Sequence, residues 1–147
     1  MKRMLTAAAL GVAGLSIVAA APVAIADPAP STVTCGTYGL QSGLSTKVCA
    51  EVTGENVQLF GQVGLAGPPS PGGPLPQPKP LIMHLSGNVA GVSLGAVNQN
   101  SVFQNATIKV SGVGGTVACG STIHGSFSVD SYQWPARPVT IDLVIPC

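Results

Sequence analysis

The chain has 147 residues, 46% of them hydrophobic and only 7% charged, with 19 Gly, 13 Pro and four Cys. That length suits one domain around a single core, and so apolar a composition argues against disorder. Six basic and five acidic residues are too few for a nucleic-acid footprint, a coiled coil or an acidic tail.

Residues 1–26 read as a signal peptide. Lys2 and Arg3 form a positive head, and an apolar run from Leu5 to Ala21 follows, interrupted only by Thr6, Gly11, Gly14 and Ser16. Pro22 ends the helical stretch, and Ala24-Ile25-Ala26 supplies the small-x-small pattern that a signal peptidase reads. An uncleaved anchor is the competing reading, which the early proline and the cleavage pattern disfavour. The first cysteine is Cys35, so no lipid anchor is expected at the end of the run, and a single Arg gives no twin-Arg signal. Removing the leader leaves Lys47, Lys79, Lys109 and Arg137 against Asp27, Glu51, Glu55, Asp130 and Asp142. Four against five is a net charge of −1, too neutral to attract nucleic acid or an anionic membrane.

The remainder, 27–147, is expected to be one secreted domain. Its four cysteines, an even number in an exported chain, read as two disulfides with three possible connectivities. Cys35–Cys49 with Cys119–Cys147 is favoured because each pair is local. Each bridge should contribute roughly 3–4 kcal/mol by loop closure. No C-x-x-C spacing points to redox or zinc chemistry.

Along this part the pattern is one of strands. Val48, Ala50 and Val52 alternate with more polar neighbours, and Gly54-Glu55-Asn56 predicts a turn. Val57, Leu59, Val63 and Leu65 continue the alternation, with Gly61 marking a candidate bulge. Leu81, Met83 and Leu85 share a face, as do Ala106, Ile108 and Val110. Gly114-Gly115 predicts a hairpin turn into a strand at 116–119. Ile123, Phe127 and Val129 form another strand, and Val139, Ile141, Leu143 and Ile145 the last, with Asp142 on the opposite side. Glycines recur too often, and straight-chain helix formers are too scarce, for an amphipathic helix. The expected fold is all-β, a disulfide-stapled antiparallel β-sandwich, Ig-like or jelly-roll-like.

Between two of these strands lies Gly67-Pro68-Pro69-Ser70-Pro71-Gly72-Gly73-Pro74-Leu75-Pro76-Gln77-Pro78-Lys79-Pro80, seven of whose fourteen residues are proline. Proline removes ladder donors, so 67–80 is expected to be a stiff exposed loop with polyproline-II character. A linker between two small units is the alternative. Its Pro-x-x-Pro spacings follow from proline density alone.

Catalytic chemistry is hard to assemble here. His84 and His124 both fall in strand-like stretches and lack neighbouring carboxylates in sequence. A triad of His124, Asp130 and a serine can be drawn, yet Gly125-Ser126-Phe127-Ser128-Val129 fails the nucleophile-elbow pattern at its last position. No calcium loop or phosphate cradle is present, and no cofactor or metal is expected. Asn105-Ala106-Thr107 is a glycosylation sequon, meaningful in a eukaryotic secretory pathway. The residues that stand out for binding are Tyr132, Trp134 and Arg137 in Ser131-Tyr132-Gln133-Trp134-Pro135-Ala136-Arg137-Pro138. An extended segment places Tyr132 and Trp134 on one face, a platform for sugar rings or a protein hot spot. Covering one end of the core is the plainer role for the same residues.

Ala24-Ile25-Ala26 at the end of the leader, the Ala/Gly/Val/Pro bias and Thr34-Cys35-Gly36-Thr37-Tyr38-Gly39 resemble small exported actinobacterial proteins of no known function. In size and disulfide number the chain is also similar to secreted antibiotic-carrying chromoproteins with Ig-like sandwiches, whose cysteine pairs are tighter. The expectation is therefore a secreted, non-enzymatic β-sandwich that binds an extracellular protein or a cell-wall polymer or associates with a surface. It is expected to touch neither nucleic acid nor, once the leader is cleaved, membrane. A protease inhibitor acting through 67–80, a small hydrolase and an envelope coat protein are the rivals.

Overall fold

The computed structural model describes residues 29–147, so the leader expected over 1–26 lies outside the described residues. Nine strands and no helix make up the described part: β1 (Ser31–Cys35), β2 (Gly39–Gln41), β3 (Leu44–Thr53), β4 (Asn56–Gly64), β5 (Lys79–Val89), β6 (Val92–Phe103), β7 (Ile108–Thr116), β8 (Thr122–Asp130) and β9 (Val139–Val144). All pairings are antiparallel. One sheet runs β1-β3-β4-β7, with β2 continuing β1 along the same edge of β3, and the other runs β6-β5-β8-β9. The chain crosses between sheets from β4 to β5, β6 to β7 and β7 to β8, so the β4·β7 and β5·β8 pairs interlock.

Alternating side chains from both sheets meet in one core, with Val48, Leu59, Met83, Val113 and Phe127 completely buried. Leu59 of β4 seats in a notch on the facing sheet, because Gly87 and Gly125, opposite each other on β5 and β8, lack side chains there. A Cβ on Gly87 would meet Leu59 Cδ1 at 2.3 Å. Both disulfides follow the local pairing. Cys35–Cys49 links directly opposed residues of β1 and β3, and Cys119–Cys147 ties the β7–β8 link to the tail after β9.

Several local expectations are corrected. The turn after β3 is only Gly54-Glu55, with Gly54 at φ +61° and Asn56 already in β4. Gly61 is not a bulge: the Phe127 ring lies against it, and a Cβ would stand 2.2 Å from that ring. The bulge sits across the sheet, where the register shifts between Leu59 and Phe60 and leaves Gly112 of β7 unpaired at φ +113°. Gly114 and Gly115 lie inside β7 opposite Gln58 and Val57, so they form no turn, and 117–121 is a link. Ala106 falls in the β6–β7 connection, β1 and β2 carry no apolar alternation, and that of β6 stops after Val92, Leu94 and Ala96.

The strands separate two ends. At one lie the β3–β4 and β5–β6 turns and the β7–β8 link, where Val117 N–H donates to Glu55 O at 2.7 Å. Ser31 starts there too, paired with Thr53, and Cys147 finishes there, bonded to Cys119. At the other end are the β2–β3 turn, the proline-rich β4–β5 connection, the β6–β7 connection and the β8–β9 loop.

Candidate functional site

The β8–β9 loop opens because a side chain takes the place of strand pairing. β8 and β9 pair as far as Phe127↔Val139, and beyond that the buried amide of Gln41 inserts between them. Gln41 Oε1 accepts from Val129 N–H at 2.9 Å and from Arg137 N–H at 3.2 Å. Its Nε2 donates to Thr46 Oγ1 at 2.8 Å and to Phe127 O at 3.3 Å. The amide thereby satisfies backbone groups that the parting strands would leave orphaned, and it pins both stems of the loop. Nothing in the local sequence marks Gln41. Only the packing of β2 across the sandwich against the end of β8 gives it this role.

Within the loop, Ser131 and Trp134 close a tight turn through Trp134 N–H to Ser131 O at 3.1 Å and Ser131 N–H to Trp134 O at 3.3 Å. The segment is therefore not extended, and Tyr132 and Trp134 do not share the face of a strand. Tyr132 stands fully exposed at a corner of the turn, and Trp134 is 57% exposed. The proline-rich connection comes to the same place. Its last residues, Gln77 to Pro80, and the turn residues Tyr132, Gln133 and Trp134 line one groove of about 260 Å³. Lys79 fixes the stem of that connection by donating from Nζ to Ser42 O, 2.6 Å away in the β2–β3 turn.

Two further grooves flank the aromatic pair. On the Tyr132 side, Pro80, Ile82, Asn100 and Val102 line one of about 460 Å³. On the Trp134 side, Leu40, Gly43, Pro135 and Arg137 line one of about 280 Å³. A fourth lies between Leu75–Pro78 and Gln104-Asn105. Leu40, Leu75, Ile82 and Val102, all exposed, sit in these walls. Tyr132, Trp134 and Arg137 thus fall in one region, and the proline-rich loop, which has no obvious link to them in sequence, shares it. The sequon residue Asn105 is exposed at the same end.

The histidines lie on the outer face of the β6-β5-β8-β9 sheet, His84 two residues along β5 from Ile82 of the Tyr132-side groove. His84 Nε2 is 3.3 Å from Asp130 Oδ2, and its Nδ1 is 2.7 Å from Asn98 Oδ1. His124 Nδ1 bonds Asp142 on the neighbouring strand. Each histidine therefore has a carboxylate beside it, which sequence adjacency did not show, because strand register supplies the neighbour. The drawn triad of His124 with Asp130 does not form, since Asp130 is held by His84. A shallow polar groove beside His124 is lined by Ser86, Ser126 and Thr140, yet no serine hydroxyl is hydrogen-bonded to either ring among the described residues. No group of three or more metal-ligating side chains gathers among the described residues.

No protein-family model, curated protein or solved structure matches the chain.

Proposed function

We propose that this is a secreted, non-enzymatic β-sandwich that acts outside the cell by binding, through the end that carries the proline-rich connection and the β8–β9 loop. The observation that carries this reading is the convergence of Tyr132, Trp134 and the 77–80 stem on one groove, with a further groove on either side. Exposed apolar and aromatic side chains gathered at one end mark an interaction surface, whereas scattered ones do not. Function borne on loops above a rigid sheet scaffold is also the common arrangement. Two disulfides suit an oxidising compartment, and the leader features and the likeness to small exported actinobacterial proteins support export. The histidine–carboxylate pairs stand exposed on the outer sheet face, His84 with Asp130 beside the Tyr132-side groove and His124 with Asp142 beside a shallow polar groove of its own.

The test is affinity capture. Protein lacking residues 1–26, fixed to a support, is offered culture filtrate and cell-wall polymer, with Trp134→Ala and a 68–78 deletion as controls. Capture that is lost with Trp134→Ala, while thermal unfolding is unchanged, supports the reading. Capture indifferent to both controls refutes it. Leu75, 80% exposed between Pro74 and Pro76, favours a second reading as a protease-inhibitory loop whose flanking prolines resist cleavage. For that reading, deletion of 68–78 must abolish inhibition of a panel of serine proteases.

A further inference from the structure

We propose that the occupant of the grooved end is a neutral, linear polysaccharide that lies across Trp134 and Tyr132 and fills the grooves beside them. This rests on the reading of that end as the binding site and adds the chemical class of the ligand.

The first argument is the kind of side chain present. A sugar ring offers a C–H-rich face that packs on an aromatic ring, whose face is electron-rich. Its rim of hydroxyls needs partners that both donate and accept. Around the two exposed rings stand Gln77, Gln133, Asn100, Ser101 and Ser131, amides and hydroxyls that supply both functions.

The second argument is charge. Lys79 lines the central groove with its ammonium held toward Ser42 O. Asp130, next to the turn, is engaged by His84. Arg137 is the other charged side chain in these walls. Two cations in separate grooves do not make the basic track that a polyanion needs, and the walls hold no carboxylate for a peptide's basic groups. A neutral chain loses least by entering.

The third argument is shape and stiffness. The grooves follow one another, with Trp134 shared by the first and second and Tyr132 by the second and third. A linear occupant several rings long spans all three grooves, whereas a single sugar fills one. The walls are preorganised by Pro80, Pro135 and Pro138, by the Gln41 amide and by the Lys79–Ser42 bond, so little loop entropy is lost on docking.

Trp134 is the sole tryptophan, so its fluorescence reports on this site without a label. The protein lacking residues 1–26 is titrated with cellohexaose, xylohexaose, mannohexaose and chitohexaose, with the matching disaccharides, and with poly-L-proline. At least one hexasaccharide is expected to change Trp134 emission saturably and to bind ten or more times more tightly than its disaccharide. Tyr132→Ala should weaken that hexasaccharide about tenfold, and Tyr132→Phe should restore affinity to within about threefold. Tyr132 is fully exposed, so neither variant endangers the fold. Affinity should change less than about twofold between 50 and 500 mM NaCl, because no charges pair. A response to poly-L-proline alone overturns the polysaccharide while leaving the binding end intact. Silence toward every probe also overturns it, and joined to capture indifferent to Trp134→Ala it removes both readings.

Discussion

Replacing Gln41 by Met tests how the grooved end is held. Methionine nearly matches the volume of glutamine but has no amide, so the core stays filled while the bonds around position 41 disappear. One of the groups released is a buried main-chain donor with no other partner, Val129 N–H, which Gln41 reaches at 2.9 Å. Phe127 O, 3.3 Å from Nε2, keeps its partner Val139 in the β8–β9 ladder and adds little. An orphaned buried polar group costs about 1–3 kcal/mol. Arg137 N–H belongs to an exposed residue and can turn to water, so it also adds little. The expected loss is about 1–3 kcal/mol, a sizeable share of the roughly 5–15 kcal/mol that holds a domain together. For a domain of this size that lowers the melting temperature by roughly 4–12 °C. Thermal unfolding by circular dichroism reads the total, and hydrogen exchange reads the place. Val129 and Arg137 amides should lose protection beyond the general loss seen in β5 and β6. A Gln41→Met protein that melts within about 2 °C of wild type, with those two amides unchanged, would show that the amide does not hold the loop.

Other substitutions probe the frame beneath the site. Gly61→Ala drives a methyl into the Phe127 ring and should destabilise by about 1–3 kcal/mol, seen as an earlier denaturant midpoint at unchanged slope. Ala90 holds a left-handed conformation at φ +49° in the β5–β6 turn, so Ala90→Asn should stabilise by about 0.5–1 kcal/mol and raise the melting temperature. The double variant Cys35→Ser, Cys49→Ser opens a bridge spanning 14 residues and should cost about 3 kcal/mol. Because every residue of β1 is exposed, its amides should then exchange first. Asp142→Asn weakens a pair whose members are both more than half exposed, and a stability change under about 1 kcal/mol is expected by chemical denaturation.

What could be read in advance divides along physical lines. Strands with one core face and one wet face announced themselves, as at Val48-Ala50-Val52, Leu81-Met83-Leu85 and Val139-Ile141. β6 did not. Its core side carries Gln99 and Ser101, opposite Met83 and Leu81, and its bulge against β5 at Gly87/Asn88 breaks the alternation. Glycine was ambiguous in the same way: Gly61, Gly87 and Gly125 are there for a side chain on the facing sheet, and only the packed molecule names that partner. The cysteine pairs were legible because both are local. At the site, composition picked out Tyr132, Trp134 and the prolines singly. Their meeting depends on two connections, β4–β5 and β8–β9, leaving the sandwich at one end, which is a property of topology.

That topology also decides how the molecule presents itself when tethered. Ser31 and Cys147 both lie at the turn end, the full length of the strands away from Tyr132 and Trp134. A surface or a partner that holds the domain near Ser31 or near Cys147 therefore leaves the aromatic end pointing outward and unobstructed. Many copies fixed side by side would offer their grooves in one plane, so that a long polymer could engage several at once. Contacts too weak to hold singly would then add up to a lasting grip.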